Sequence, residues 1–175
     1  MEGPGVARWQ VAAFIMAEHL GKPAAATANV VFPIYFSKQP MPFIRTSVHK
    51  DTPAEQRKAI VDGIHQALVD GIGMPADELF NLVTDYDANQ FFFSRTFNGY
   101  ARSDRVVVVE ITMRRGRSDA MKRALYANIA SNLERNAGVA PNDVFIFTHE
   151  NDYSDWSVGG GKFAMAIAQQ VGPDA

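Results

Sequence analysis

Three guanidinium groups crowd one short turn, Arg114-Arg115-Gly116-Arg117, just ahead of Ser118. A guanidinium grips both oxygens of a carboxylate at once, so the cluster suits a small carboxylate ligand. A solvated basic turn has the same composition, and the flanking elements must decide between the two. Other chemistries fit less well. His19, His49, His65 and His149 show no metal-ligand spacing. The absence of cysteine removes thiol catalysis, disulfides and thiolate metal sites. Gly159-Gly160-Gly161-Lys162 lacks the outer glycine, the Ser/Thr and the helix start of a phosphate loop. No metal and no cofactor is expected. A net charge of -2 and a pI of about 6.1 offer no basic face to nucleic acid.

The arginine turn lies between two clear signals. Ahead of it, Arg105–Met113 contains Val106-Val107-Val108-Val109 and Ile111. That run is apolar on both faces and reads as a buried parallel strand. Behind it, Ser118 caps a helix with Leu125, Ile129 and Leu133 on one face, ended by Gly138 and Pro141. Upstream, Met41-Pro42 opens a short strand to Val48. Thr52-Pro53-Ala54-Glu55 reads as a capping box with proline at the first helical position. Ile60, Ile64 and Leu68 then recur at helical spacing, and Gly71, Gly73 and Pro75 stop the helix. Phe80–Tyr86 and Asp143–His149 read as the other two strands. Asp87–Asp104 is polar and aromatic, a hairpin or loop.

The two halves repeat. Ile60, Ile64, Leu68 and Gly73 match Leu125, Ile129, Leu133 and Gly138 at a constant offset of 65 residues. Each half is strand, helix, strand, and a crossover helix of this length demands a parallel pair. The expected fold is α/β: a duplicated β-α-β unit with a four-stranded, mainly parallel-paired sheet and two helices on one face. The valine strand then leaves a second apolar face to be covered, and a symmetric partner is the simplest cover.

The duplicated unit with Met-Pro at its head resembles the tautomerase superfamily, and within it the malonate semialdehyde decarboxylase-like family. The matching residues are Gly99-Tyr100-Ala101-Arg102-Ser103, the valine strand, the arginine turn to Ser118, Lys122 with Leu125-Tyr126, Pro141-Asn142-Asp143-Val144, and Glu150–Gly159. The last is the most specific, with Glu-Asn followed by Asp-Trp-Ser-x-Gly. The resemblance runs from Pro42 to about Met165. It implies a cofactor-free homotrimer in which the proline, exposed by removal of the initiator methionine, works beside a subunit interface on a small carboxylate. It carries the family's first arginine to Arg114 and the second to Arg117, with Arg115 a rival for either because the turn is one residue longer. It carries the family's aspartate to Glu78, beside Asp77, and an apolar wall to Trp156, Val158 and Met165. Glu78 is a methylene longer than that aspartate, and a misplacement of about 1 Å can cost about a hundredfold in rate.

A free α-amine has a pKa of about 7.7–8.0. Nearby guanidinium groups and apolar burial both lower it. Such an amine can move a proton from the carbon beside a carbonyl, which is tautomerisation. Keto–enol isomerisation of a small 2-oxo acid is therefore expected, with semialdehyde decarboxylation or hydration as the alternative. A third reading is a non-catalytic trimer, because in a chain running from Met1 the Pro42 nitrogen is a tertiary amide with no basic lone pair. Residues 1–40 belong to no part of the resemblance. They are expected to be an extension, explained by an upstream start-codon assignment, with 41–175 as the tautomerase-like domain. No run approaches the ~20 apolar residues of a membrane span. Val11–Ala17 is stopped by Glu18 and His19, so a cytoplasmic, membrane-free protein is expected.

Overall fold

Residues 42–164 are described by the computed structural model. Six elements carry the fold: β1 (Phe43–His49), α1 (Ala54–Ile72), β2 (Asn81–Tyr86), β3 (Val107–Arg114), α2 (Asp119–Ala137) and β4 (Val144–Asn151). The strands form one sheet in the order β2-β1-β3-β4. β1 runs parallel to β2 and β3 parallel to β4, while the central pair, β1 and β3, is antiparallel. The duplicated β-α-β architecture is as expected, and its two halves meet back to back.

The repeat extends to the helix ends. Pro53 and Ser118 are the N-caps, and Gly73 and Gly138 the C-caps, again 65 residues apart. Gly73 (φ 69°) and Gly138 (φ 63°) are left-handed, a conformation that glycine adopts without a Cβ penalty. Behind them, the N–H of Met74 donates to Leu68 O, and that of Val139 to Leu133 O. The N-termini differ. Ser118 Oγ accepts the Met121 N–H at 3.2 Å. The expected capping box at Thr52 does not form: Pro53 is the cap, with no side-chain cap bond, while the Thr52 carbonyl accepts from Arg57 Nε at 2.7 Å. Gly71 does not end α1 either; it lies inside the helix, where an added Cβ would stand 3.4 Å from Leu125 Cα.

Both helices cover one face of the sheet. Ile60, Ile64 and Leu68 from α1 and Leu125, Ile129 and Leu133 from α2 are at most 1% exposed, in one core with Ile44, Val109 and Ile111. The helices run antiparallel, since Gln56 Nε2 near the start of α1 donates to Ala137 O at the end of α2 at 2.8 Å. Mid-contact, buried Asn132 donates to Gly63 O at 3.0 Å. The other face of β3 departs from expectation. Val107, Val109, Ile111 and Met113 point into the core, but Val108 is followed outward by Glu110 and Thr112. The strand is therefore apolar on one face and mixed on the other, because the valine run ends at Val109, just before the outward positions Glu110 and Thr112. The segment between β2 and β3 is a loop with a 3-10 turn at Phe97–Gly99. It is stapled to the domain by Ser103, whose N–H and Oγ both donate to buried Asp143 at 2.7 and 2.6 Å.

Truncating the shared core stripe should be costly. Ile129→Ala is expected to lose about 2–5 kcal/mol of unfolding free energy, and Ser118→Ala about 1 kcal/mol through its cap. Urea denaturation checks both, and a wild-type midpoint for Ile129→Ala would contradict the packing described.

Candidate active site

One end of the sheet gathers most of the sequence-derived residues. The antiparallel register pairs Phe43 with Thr112, so Pro42, buried just ahead of β1, comes level with the end of β3. The Ile44 N–H donates to Phe80 O at 2.8 Å, bringing the approach to β2 alongside. β3 and β4 finish together, Arg114 opposite Asn151. The start of β1, the residues leading into β2 and the exits of β3 and β4 thus share one rim.

Arg114 is the last residue of β3 and is only 8% exposed. Its guanidinium lies over the Tyr153 ring, 4.0 Å from the centroid. Its Nη1 is buried with no hydrogen-bond partner among the described residues. Burial pulls its pKa below the usual guanidinium value. The chain then turns sharply, with Gly116 at φ 112°, which favours glycine. Arg117 folds back so that its Nη1 donates to the Arg114 carbonyl. Its pKa is lowered by burial and then by repulsion from Arg114, while Glu150 pulls the other way. Glu150 is itself paired with Lys122 at 3.0 Å.

Arg115, the rival for either arginine role, points elsewhere. It is exposed, its Nε pairs with Asp152 at 2.9 Å, and its N–H donates to Asn151 O at 2.9 Å. Glu78 sits in the turn ahead of β2, its N–H on Pro75 O. Its carboxyl pKa is raised, chiefly by partial burial and then by the neighbouring Asp77 charge. Trp156 is half-buried, and its Nε1 donates to Asn151 Oδ1 at 2.7 Å. Val158 is exposed, contributing no wall within the single chain. Met165 lies outside the described residues.

Tyr153, Glu150 and Lys122 were given no site role from the sequence. All three lie in stretches that carried the resemblance, but an arginine stacked on a ring 39 positions away leaves no periodic trace. Among the described residues no three of His, Asp or Glu gather closely enough to hold a metal ion. Nor is any helix of residues 42–164 long and apolar enough to cross a membrane.

Comparison with known proteins converges on one family. One model of the tautomerase enzymes matches residues 42–96 and a second matches residues 78–159. The probable tautomerase YusQ of Bacillus subtilis is 30% identical over 125 residues, covering 71% of this chain and 98% of its own. The crystal structure of the FG41 malonate semialdehyde decarboxylase, inhibited by 3-bromopropiolate, is similar with a TM-score of 0.68 and 34% identity. That match covers 74% of this chain and 98% of the decarboxylase. A fused 4-OT wild-type asymmetric trimer shares the fold, with a TM-score of 0.60 and 22% identity, covering 71% of this chain and 98% of its own.

The two causes of the Glu78 shift can be separated. Carboxyl-detected NMR titration should find its midpoint above that of an exposed glutamate. Asp77→Asn should lower that midpoint without returning it to the exposed value, because burial, the larger cause, remains. No change in Asp77→Asn would remove the charge contribution.

Proposed function

Because this chain belongs to the tautomerase superfamily, we propose that it interconverts the keto and enol forms of a small 2-oxo carboxylic acid, without a cofactor, through the secondary amine of Pro42 once that residue opens the chain. The observation that carries this reading is buried Arg114, whose Nη1 has no partner among the described residues, on the rim where Pro42 opens β1. A desolvated guanidinium with an unused donor is costly, and a ligand carboxylate would complete it. Arg117 adds a second positive charge. Both charges, with the burial of Pro42, push the amine pKa down from about 7.7–8.0. The neutral amine takes a proton from the carbon next to the ketone. The C–H electron pair forms the enol double bond, the carbonyl pair moves onto oxygen, and the proton is returned there. Glu78 would set the charge of Pro42 or orient a water. Trp156, with Val158 and Met165, would supply the apolar wall, and Arg115 would hold the turn rather than the substrate.

A second reading is decarboxylation or hydration of a 3-oxo acid or semialdehyde. It is supported by the 34% identity with the FG41 malonate semialdehyde decarboxylase and by the raised carboxyl of Glu78. There a protonated Pro42 would donate to the 3-oxo group while the C–C bond to the carboxylate breaks. Carbon dioxide leaves, and the electron pair is protonated at carbon. In either case Pro42 must be amino-terminal. With Met41 attached its nitrogen is a tertiary amide, neither base nor donor, and the non-catalytic reading then applies. We further propose a cytoplasmic homotrimer. The fused 4-OT relative is a trimer. In this chain Phe145, Leu82 and the loop residues Phe92, Phe97 and Tyr100 leave large apolar surface exposed. Each such side chain is worth about 1.5 kcal/mol or more when covered, against a net stability of about 5–15 kcal/mol.

A chain starting at Pro42 should ketonise an enol-form aryl pyruvate, and the full 175-residue chain should not. Equal turnover by the two purified forms would defeat the free-amine mechanism. In the active form, Arg117→Ala should lower kcat/KM by about 2 kcal/mol or more, the scale of a charge-assisted contact. Arg45→Ala, on the exposed outer face of β1, should cost little. Wild-type kinetics in Arg117→Ala would remove that arginine from the mechanism. Light scattering should give roughly three times the 19.3 kDa chain mass at micromolar concentration. A folded monomer at that dilution would refute the trimer.

A further inference from the structure

The ring beneath Arg114 has no part in the chemistry above, yet it solves a problem that chemistry creates. A buried guanidinium needs something to offset its lost hydration. A carboxylate partner would do so, but would occupy the donor edge that a ligand needs. An aromatic face stabilises the cation through its quadrupole and takes up none of the in-plane N–H groups. Arg114 is held in this second way. Its Cζ lies 4.0 Å from the Tyr153 centroid, whereas the pairs at Arg45, Arg95 and Arg102 lie at 5.3–5.9 Å. Of these four pairs the one on the site rim is the closest, and its Nη1 has no partner among the described residues.

The ring is itself fixed from both sides. Asp152 and Asp155 close a reciprocal cap around the turn Tyr153–Asp155. Asp152 also pairs with Arg115 at 2.9 Å, and Trp156 is tied to Asn151 at 2.7 Å. The Arg115 N–H on Asn151 O joins this strap to the arginine turn. Exposed Arg115 thus holds the strap, the strap holds Tyr153, and Tyr153 holds Arg114.

We propose that Tyr153 is a positioning residue for carboxylate recognition, holding the Arg114 guanidinium over its ring while leaving Nη1 without a partner among the described residues. This rests on the reading that Arg114 binds the substrate carboxylate. The ring, rather than the hydroxyl, is the working part. Tyr153→Phe should therefore behave as wild type, and Tyr153→Leu, which keeps the apolar bulk, should not.

The test has two arms. In the full chain, the Arg114 Nε–H resonance should carry an upfield ring-current shift that survives in Tyr153→Phe and vanishes in Tyr153→Leu. In the chain starting at Pro42, KM for an aryl pyruvate should rise about five- to tenfold in Tyr153→Leu, the scale of a cation–π contact. In the same variant kcat should change less than KM, and KM for the uncharged methyl ester should not change. Tyr153→Phe should stay within about twofold of wild type throughout. An equal loss for acid and ester in Tyr153→Leu would mean simple collapse of the turn and overturn the proposal. So would a Phe variant as impaired as Leu, or an Arg114 resonance that ignores residue 153. Should the Pro42-initiated wild type turn over neither compound, the proposed reaction falls, and the resonance alone decides the role of Tyr153.

Discussion

The antiparallel pairing of β1 with β3 is the constraint from which the rest of the rim follows. Were the central strands parallel, the start of β1 would lie beside the start of β3, and the arginine turn would emerge at the far edge. With Phe43 across from Thr112, the first residue of one half meets the end of the first strand of the other. The two parallel outer pairs then bring the approach to β2 and the exit of β4 to the same place. The register holds because a slip of one residue would turn Ile44, Thr46 and Val48 out of the core.

The electrostatics of the rim are set by the fold itself. Two guanidinium groups are desolvated on one rim, and Arg114 makes the charge of Arg117 harder to keep. Glu150 offsets part of that for Arg117 and is balanced in turn by Lys122. Among the described residues, Arg114 is met by an aromatic face. Preorganised charge of this kind requires no rearrangement at the moment of binding, and is worth more where water is excluded.

Much of this was legible in the sequence, for physical reasons. Helical stripes such as Ile60-Ile64-Leu68 are local and periodic, and their repeat at Leu125-Ile129-Leu133 named the duplication outright. Gly73 and Gly138 are readable because few other residues adopt their backbone. Thr52 misled because a capping sequence specifies a local option, and the chain took the carbonyl contact with Arg57 instead. The valine run misled because its outward partners, Glu110 and Thr112, lie just past it. The resemblance put Arg114, Arg117 and Glu78 in one family site. The separate fate of Arg115 depended on Asp152 and Asn151, partners that only the folded chain brings near. Tyr153 was hidden in the same way, since its aromatic face has meaning only once Arg114 lies on it.

The Ser103–Asp143 staple shows what duplication leaves over. At the 65-residue offset Asp143 is the counterpart of Glu78, and His49-Lys50-Asp51-Thr52 the counterpart of the arginine turn. The counterpart of Pro42 is Val107, which lies within the chain and carries an amide nitrogen wherever translation begins. The second copy of the rim can never present an amine. Its acid is instead engaged by a serine hydroxyl and a backbone N–H, fastening the aromatic loop to the domain. A fold built twice from one plan has thereby split into a pole that gathers buried arginines and an anchoring pole. Each is free to change under its own selection, because neither is held to the symmetry that produced it.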